Sequence, residues 1–380
     1  MKRKNFLFDE ISRRDNVRLA FLKAIRGNRS SPQSVYFCRN IDRNLRAVQE
    51  NLRSPDFRWG GYRSFLIKDP KLRTISTAPF AQRVMHHAIM NVIEPVLERP
   101  LVFHSYACRR GKGTHAAVLY AFRQCRANRY FLKLDVRRYF ESVDHGVLKS
   151  VLRRFIKDAR LAAMLDGIIG SWETAPGKGI PVGNLTSQFF ANLYLSGMDH
   201  FILEKLRPAG YCRYMDDFVV WSPSEERLVR MRGQITEYAR CVLRLDLKPA
   251  VFGRSVAGLP FLGFLVREKG IFLMQKSKRR VKRRMAEISA SLLGGCISQE
   301  KAARRVSSVF AAVALARTLC FRRNLCKKWG RLPAATASNA AGVGTIRHRT
   351  PALPTGTTTT ATTTTLASGW SVPELCGGKD

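Results

Sequence analysis

Residues 211–221 read Tyr-Cys-Arg-Tyr-Met-Asp-Asp-Phe-Val-Val-Trp, and the fold is organised around this stretch. Two short β-prone runs flank Asp216 and Asp217, which predicts two strands joined by a tight turn with both aspartates at or near its tip. Two carboxylates about 4 Å apart repel by about 4 kcal/mol at an effective dielectric of about 20. A divalent cation such as Mg²⁺ removes that repulsion, because hard ions prefer carboxylate oxygens. The alternative is a solvated hairpin turn, in which Asp is a common residue.

A second acidic strand end lies upstream. Residues 131–136, Phe-Leu-Lys-Leu-Asp-Val, read as a buried strand that ends at Asp135. A helix is expected to start near Asp144. The apolar residues predicted to share one face of that helix are Leu148, Val151, Leu152 and Phe155. A lone aspartate at a strand end is more often a turn residue than a ligand, so its meaning depends on the rest of the chain.

Three further segments surround these carboxylates in the sequence. Residues 62–76 alternate around Asp69 and Pro70, which predicts a hairpin rich in basic residues. Residues 105–117 place several basic side chains beside two glycines, but they lack the G-x-x-x-x-G-K-[ST] pattern of a P-loop. Residues 179–195 form a loop with two glycines and a proline, followed by a helix that is predicted to begin at Ser187.

The sequence Tyr-Met-Asp-Asp at 214–217 is the hallmark of reverse transcriptases, and the order of these segments resembles that family. The resemblance covers residues 60–275 strongly and 276–330 loosely. It implies an α+β fold of the right-hand polymerase type, with fingers, a palm of antiparallel strands and packed helices, a helical thumb and a disordered C-terminal tail. The expected segments are an N-terminal helical region at 1–60, fingers at 61–130, a palm with the first catalytic motif at 131–150, a fingers/palm insertion at 151–180, the rest of the palm at 181–275, the thumb at 276–330 and a low-complexity tail at 331–380.

The resemblance also implies a two-metal catalytic site. Asp135 and Asp216 would bind two Mg²⁺ ions about 4 Å apart, with Mn²⁺ as a substitute, and Asp217 would tune or complete the metal site. Lys248, in Leu-Asp-Leu-Lys-Pro, is a candidate to protonate the pyrophosphate leaving group. An ordinary surface lysine is the alternative for this residue.

Other residues are expected to bind the nucleotide. Arg73, with Lys71 second, would neutralise the triphosphate because a guanidinium can hold phosphate oxygens in two places; a solvated basic hairpin is the alternative. Phe140, five residues after Asp135, would lie under the sugar and exclude a 2′-hydroxyl, so that dNTPs are polymerised; a core Phe is the alternative. Gly183 would let the loop backbone approach the nascent base pair. The remaining nucleotide-binding residues in this set are Val182, Ser187 and Gln188.

The charge of the chain indicates a polyanionic partner. Lys and Arg number 66 against 28 Asp and Glu, a net charge of +38, and nucleic acid is the first candidate. Residues 276–284 hold seven Lys or Arg and no acid, a pattern that predicts contact with template–primer phosphates or, alternatively, a solvated charge run. The residues predicted to bind nucleic acid are Arg109, Arg110, Lys112, Lys276, Lys278, Arg279, Arg280, Lys282, Arg283 and Arg284.

One substitution pattern points to a subtype. The segment Val182-Gly-x-x-x-Ser187-Gln188 departs from the Gln and Ser-Pro that most reverse transcriptases have, and it resembles the enzymes of diversity-generating retroelements. That group copies a template-repeat RNA with errors at adenine and commonly works with a small basic accessory protein. The expected partners are template RNA, a DNA primer and its cDNA, dNTPs and such an accessory protein. A retron reverse transcriptase and a catalytically silent nucleic-acid-binding protein are the alternatives.

The cysteine spacing and the hydropathy of the sequence indicate the cellular compartment in which the protein is expected. The nine cysteines include no C-x-x-C pair, which favours reduced thiols over a zinc site or a disulfide scaffold. The longest apolar run that could enter a membrane, 309–316, is far shorter than the roughly 20 residues needed to span a bilayer. Residues 357–365 are almost pure threonine, which is typical of disorder. A cytoplasmic protein without a membrane segment is expected.

Overall fold

The computed structural model describes residues 7–68 and 72–329. The predicted Asp69-Pro70 turn, Lys71 and the predicted tail at 331–380 lie outside the described residues. The described residues fall into two compact units, one formed by residues 7–68, 72–117 and 132–252 and the other by residues 118–131 and 253–329. The described residues form a mixed helix-and-sheet structure, so the predicted α+β class is confirmed.

The first unit begins with four helices in the region that the sequence predicts to be helical. These helices are α1 (Leu7–Ile11), α2 (Arg14–Ile25), α3 (Pro32–Arg39) and α4 (Ile41–Arg53). Ser31 starts α3 by accepting a hydrogen bond from the Ser34 N–H, with a proline at the first helical position, a pattern that favours helix initiation. The rings of Phe21, Phe37 and Phe80 pack together with centroids 5.1 to 6.3 Å apart. This contact joins α2 and α3 to the helix that begins at Phe80.

A hairpin and a long helix follow. Strands β1 (Arg63–Lys68) and β2 (Leu72–Thr77) pair antiparallel, with Arg63 opposite Thr77, as the alternation of residues 62–76 predicts. Helix α5 (Phe80–Glu98) contributes one of the most buried faces of the unit, including Val84, Met85 and Ile89. Helix α6 spans Thr114–Ala127.

A four-stranded sheet carries the acidic motifs. Its strands are β3 (Tyr130–Asp135), β4 (Gly210–Tyr214), β5 (Asp217–Ser222) and β6 (Val251–Arg254), in the order β4-β5-β3-β6. Tyr211, Phe218 and Trp221 are fully buried. Strand β3, which ends at Asp135, is therefore the direct neighbour of strand β5, which starts at Asp217.

Helices connect and cover these strands. They are α7 (Tyr139–Ser142), α8 (His145–Arg153), α9 (Ala159–Gly170), α10 (Leu185–Tyr194), α11 (Ser196–His200), a π-helical turn (Phe201–Leu206) and α12 (Glu225–Cys241). The predicted start of α8 is confirmed, because the Asp144 carboxylate accepts a hydrogen bond from the Val147 N–H.

The predicted start of α10 is wrong by two residues. The helix begins at Leu185 rather than at Ser187. Asn184 occupies the position before the helix in an extended conformation, and its side-chain oxygen accepts from the Ala78 N–H at 3.4 Å instead of capping its own helix. A tertiary contact, which local propensity cannot reveal, thus sets the boundary.

The second unit contains a small sheet and three helices. Strands β7 (Leu259–Phe261), β8 (Phe264–Arg267) and β9 (Gly270–Leu273) form an antiparallel meander, and α13 (Gln275–Leu293), α14 (Gln299–Val313) and α15 (Leu319–Lys328) follow. The sequence predicts these strands in the palm segment, whereas the compact units group them with the three helices. Within residues 7–68 and 72–329, no helix has both the length and the apolar character to cross a membrane.

The buried histidine of α5 makes stability depend on pH. His86 is fully buried, with Nδ1 3.2 Å from the Thr186 hydroxyl, and burial lowers the pKa of its imidazole to about 3. The unfolded chain binds this proton near pH 6.5, so the unfolded state is favoured as the pH falls below that value. The free energy of unfolding should fall by about 1.4 kcal/mol per pH unit from this residue between pH 6 and pH 4.

Urea unfolding at pH 7, 6, 5 and 4 checks this expectation. His86→Gln retains a side chain that can hydrogen-bond to Thr186 but does not titrate, so its stability should fall less steeply with acid. Equal slopes in the two proteins would show that His86 contributes nothing to acid sensitivity.

Candidate active site

A strained two-residue turn carries the acidic pair. Tyr214 pairs with Asp217 across β4 and β5, which leaves Met215 and Asp216 as the turn residues. The predicted hairpin is therefore confirmed. Met215 has a φ of 57°, a conformation that a bulky side chain rarely adopts. The carbonyl of Asp216 accepts a hydrogen bond from the Val136 N–H at 3.3 Å, which ties the turn to the end of β3.

The three carboxylates predicted to converge act on one another. Burial raises the pKa of Asp216, the negative charge of Asp135 raises it further, and Lys248 and Arg73 lower it. Burial likewise raises the pKa of Asp217 to about 6; Lys133 lowers it, and the charges of Asp135 and Asp216 raise it. The structure thus places Asp135, Asp216 and Asp217 within electrostatic reach of one another at one end of the sheet.

Two lysines neutralise part of this charge. The Nζ of Lys133 lies 3.0 Å from Oδ2 of Asp217, and the Nζ of Lys248 lies 2.6 Å from Oδ1 of Asp135. The backbone N–H of Lys248 also donates to the Asp135 carbonyl at 2.8 Å, so strand β3 and the segment before β6 are fixed together there. Sequence reasoning did not assign Lys133, although its position two residues before Asp135 places it on the same face of β3.

The donor set fits a hard divalent cation. Among residues 7–68 and 72–329, no group of three or more His, Cys, Asp or Glu side chains is already arranged to hold a metal ion. However, Oδ1 of Asp217 is buried without a hydrogen-bond partner, and burial, together with the neighbouring carboxylate charges, raises the pKa of Asp216 and Asp217. Carboxylate oxygens are the ligands that Mg²⁺ prefers. Asp135, Asp216 and Asp217 are accordingly the side chains that could hold it.

The glycine-rich loop at 179–183 hydrogen-bonds both to the β1–β2 hairpin and to α7. The Ser76 N–H donates to the Val182 carbonyl at 2.8 Å, and the Ile180 N–H donates to the Phe140 carbonyl at 2.8 Å. Phe140 is half-buried, with its ring centroid 5.7 Å from that of Tyr139. The loop, the inner hairpin strand and Phe140 are therefore linked through backbone hydrogen bonds.

Gly183 has a structural reason in addition to its predicted role. Its φ is +119°, and a Cβ atom would meet Cγ2 of Ile75 at 2.8 Å and the Ser76 carbonyl oxygen at 3.2 Å. The loop therefore packs against strand β2 too closely for a side chain at this position. The approach of its backbone to a base pair stays a prediction.

The other predicted nucleotide-binding residues differ in accessibility. Arg73 is exposed on β2, and its charge acts on Asp216; its contact with a triphosphate stays a prediction. Gln188 lies beside Cys108, whose thiol donates to its side-chain oxygen at 3.5 Å. Ser187 is buried within α10, so the direct nucleotide contact predicted for it is not available in this structure. Lys71 lies outside the described residues.

The basic segment after α5 contains one structural arginine. The guanidinium of Arg109 is only 9% exposed; it lies 2.5 Å from Glu98 and also donates to the carbonyls of Val102 and Ser105. These contacts anchor the loop, so the phosphate contact predicted for Arg109 would compete with them. Arg110 is 86% exposed. Lys112 is half-buried; its ammonium lies over the ring of Phe103 at 3.8 Å and donates to the Phe103 carbonyl. Arg110 is therefore the most accessible of the three basic side chains.

The basic run of α13 lies on the outside of its helix in the second unit. Val281, Met285 and Ile288 form the buried face, and Arg283 is 3.4 Å from Glu287 on the same helix. The predicted phosphate-binding residues that are classed as exposed are Lys276, Arg279, Arg280, Lys282, Arg283 and Arg284, and Lys278 is half-buried. This face has the solvent access and charge that phosphate contact needs.

Comparisons with known proteins identify the central segment. Protein YkfC of Escherichia coli K12 is 25% identical over 226 residues, which is 47% of this chain and 57% of that protein. The group II intron-encoded protein LtrA of Lactococcus lactis is 24% identical over 140 residues, 35% of this chain and 23% of that protein. The matched part of the chain thus spans less than two thirds of either relative. This chain also aligns with the solved structure of apo telomerase from Candida tropicalis, at 12% sequence identity and a TM-score of 0.45. The alignment covers 70% of this chain and 59% of the telomerase chain.

A family model matches the same central segment. The model described as reverse transcriptase (RNA-dependent DNA polymerase) matches residues 67–252, which include β3, the β4–β5 hairpin and the glycine-rich loop. The match contains every carboxylate of the candidate metal site and both lysines that contact it. Residues 67–252, about half of the chain, are therefore similar to this family.

Proposed function

We propose that this chain is an RNA-directed DNA polymerase whose site is formed by Asp135, Asp216 and Asp217. The observation that carries the proposal is the convergence of these carboxylates at one end of the β4-β5-β3-β6 sheet, with Asp217 Oδ1 lacking a partner. On this proposal residues 61–130 act as fingers, the segments 131–150 and 181–275 as palm, the segment 151–180 as the insertion between them and residues 276–330 as thumb.

Each group of residues has a separate role in the proposed reaction. Two Mg²⁺ ions held by Asp135 and Asp216, with Asp217 completing the set, would activate the primer 3′-oxygen and stabilise the departing pyrophosphate. Arg73, exposed on β2, binds the triphosphate as negative charge builds. Phe140 lies beneath the sugar and selects against a 2′-hydroxyl. Arg110 and the exposed face of α13 bind backbone phosphates.

The position of Lys248 fits the role of a general acid. Its ammonium lies 2.6 Å from Oδ1 of Asp135. It is therefore beside the proposed metal site and could protonate the leaving pyrophosphate. The same ion pair holds the segment before β6 against β3.

A primer-extension assay tests the activity. The full chain is supplied with an RNA template, an annealed DNA primer, dNTPs and Mg²⁺, and extension of the primer is expected. A chain that binds the template–primer but extends nothing in Mg²⁺ or Mn²⁺, alone or with lysate of its own host, would favour the alternative of a catalytically silent nucleic-acid-binding protein.

We further propose that the enzyme is of the diversity-generating type, copying a template-repeat RNA into cDNA with adenine-biased errors and working with a small basic accessory protein. The supporting feature is Val182 in the loop whose carbonyl is held by the Ser76 N–H. The retron alternative would instead require a structured non-coding RNA as template.

Exchange of Val182 for Gln should lower misincorporation opposite template adenine. Glutamine adds a hydrogen-bonding amide near the incoming nucleotide, where valine only fills volume. Because the Ser76 hydrogen bond uses the backbone carbonyl, the loop should keep its place in the variant. A drop of about tenfold in adenine errors corresponds to about 1.4 kcal/mol, the scale of one net hydrogen bond.

Sequencing of cDNA made by both enzymes on one adenine-rich template measures the effect. Val182→Leu is the matched control, since it changes volume without adding an amide, and its error spectrum should resemble that of the parent enzyme. Unchanged adenine errors in Val182→Gln would remove the support for this subtype.

A further inference from the structure

A buried ion pair lies directly behind the catalytic turn. Arg213 on β4 and Asp199 on α11 both have side chains with no solvent exposure. Nε of Arg213 lies 2.7 Å from Oδ1 of Asp199, and Nη2 lies 2.6 Å from Oδ2, the paired geometry in which a guanidinium grips a carboxylate. The Tyr211 hydroxyl donates to Oδ1 of the same carboxylate at 2.5 Å.

One of the remaining donors of this guanidinium reaches the turn itself, and the others reach Asn192. Nη1 of Arg213 donates to Oδ1 of Asn192 at 3.1 Å and to the carbonyl of Met215 at 3.0 Å. Nη2 also donates to the Asn192 carbonyl at 3.2 Å. A guanidinium has five N–H groups, and all five have acceptors here. Met215 immediately precedes Asp216 and holds the positive φ of the turn.

The arginine is also fixed through its backbone. Its N–H donates to the His104 carbonyl at 2.9 Å, and its carbonyl accepts from the Tyr106 N–H at 2.9 Å. The guanidinium therefore has a fixed origin, a fixed counter-ion and one acceptor in the strained turn. Stability alone does not explain this arrangement, because a buried ion pair can often be replaced by apolar residues without loss of stability.

We propose that Arg213, anchored by Asp199, is a positioning residue that holds the Met215 carbonyl and thereby fixes the carboxylate of Asp216 for metal and substrate. The proposal rests on the proposed polymerase function. Without the contact to Met215, the turn relaxes from its positive φ and the Asp216 carboxylate samples other orientations. A misplaced catalytic group costs rate at the chemical step, while substrate binding elsewhere is retained.

The main test is a double variant, Arg213→Met with Asp199→Val. It replaces the ion pair by apolar side chains of similar volume, so the fold is expected to persist while the hold on Met215 is lost. The expected result is a fall of at least about tenfold in kcat with template–primer affinity within about twofold of the parent. Mn²⁺ affinity, measured by electron paramagnetic resonance, should fall, and amide hydrogen exchange at residues 214–217 should become faster.

Two further variants separate positioning from stability. Arg213→Lys retains a positive charge for Asp199 but has no planar fork to reach Met215, so it should lose kcat even if the double variant does not fold. Tyr211→Phe removes a hydrogen bond to Asp199 from the same buried network and leaves the Met215 contact intact; it should unfold at a lower temperature with kcat unchanged.

The outcomes distinguish this proposal from the one on which it depends. The positioning role would be overturned if Arg213→Lys or the double variant folds and keeps the parental kcat, Mn²⁺ affinity and hydrogen exchange. A fall in kcat of Tyr211→Phe in proportion to its lost stability would do the same. If the parent chain itself extends no primer, the polymerase proposal fails; faster exchange at 214–217 in the variants then still supports the hold on the turn, and unchanged exchange overturns it.

Discussion

Asp216→Asn is expected to abolish deoxynucleotide incorporation, with a loss of about three orders of magnitude or more, while template–primer binding stays at the parental level. The variant removes one negative charge from a set of three carboxylates that act on one another at the end of the sheet. Several kcal/mol of transition-state stabilisation by metal depend on such ligands, and each 1.36 kcal/mol is a factor of ten in rate. Asparagine has nearly the same shape, and the hydrogen bond from the Val136 N–H uses the backbone carbonyl, so the turn should persist.

Single-turnover primer extension together with a binding titration measures both halves of this expectation. Asp246→Asn is the matched control, because Asp246 is exposed nearby and contributes its backbone carbonyl to Arg137, which the substitution retains. The control should extend primer at the parental rate. Full activity of Asp216→Asn would refute the assignment of the metal site. A parallel loss of template–primer affinity would show that the turn binds nucleic acid and that the loss of rate is not specific to chemistry.

The hairpin and its neighbouring strand could be predicted because their signals are local. Two short β-prone runs on either side of Asp216 and Asp217 predict the turn, and the largely apolar run before Asp135 predicts a buried strand. The alternation of residues 62–76 predicts the β1–β2 hairpin that the structure contains. The expectation that Asp135 meets the hairpin tip rests on the resemblance to a family and not on spacing, since Asp135 and Asp216 are 81 positions apart in the chain.

The partners of the site residues could not be predicted, because they are set by long-range packing. The ion pair between Lys248 and Asp135 joins residues 113 positions apart, and a sequence offers no signal for which of many lysines will make it. Among three neighbouring basic residues, sequence alone does not distinguish the half-buried, ion-paired Arg109 from the exposed Arg110. The deciding feature is Glu98, which lies at the end of the preceding helix.

The buried pair behind the turn had a weak sequence signal. An arginine inside a short, otherwise apolar strand is unusual, because an arginine is almost never fully buried unless it is paired. The pattern of residues 211–221 therefore required an acidic partner for Arg213, although the 14 residues that separate it from Asp199 did not reveal which one. Gly183 is a second case, since a glycine indicates that something approaches the backbone closely but does not indicate which residue or ligand it is.

Phe140→Ala is expected to let the enzyme use ribonucleotides. The half-buried ring lies next to the loop that contains Val182 and Gly183, and the Phe140 carbonyl accepts from the Ile180 N–H, so the backbone should hold without the ring. Removal of the ring opens room for a 2′-hydroxyl. One group excluded by the shape of a pocket changes selectivity by about 10- to 200-fold, so the ratio of kcat/KM for dATP to that for ATP should fall by about this factor.

Steady-state extension by one nucleotide, with dATP and ATP measured separately, gives this ratio. Tyr139→Phe is the neighbouring control: Tyr139 is buried, and its hydroxyl donates to the Ala191 carbonyl, so the substitution should affect stability and not sugar selection. An unchanged dATP preference in an active Phe140→Ala enzyme would identify Phe140 as a packing residue. Loss of preference in both variants would instead indicate that α7 as a whole, and not the Phe140 ring, limits the space beneath the sugar.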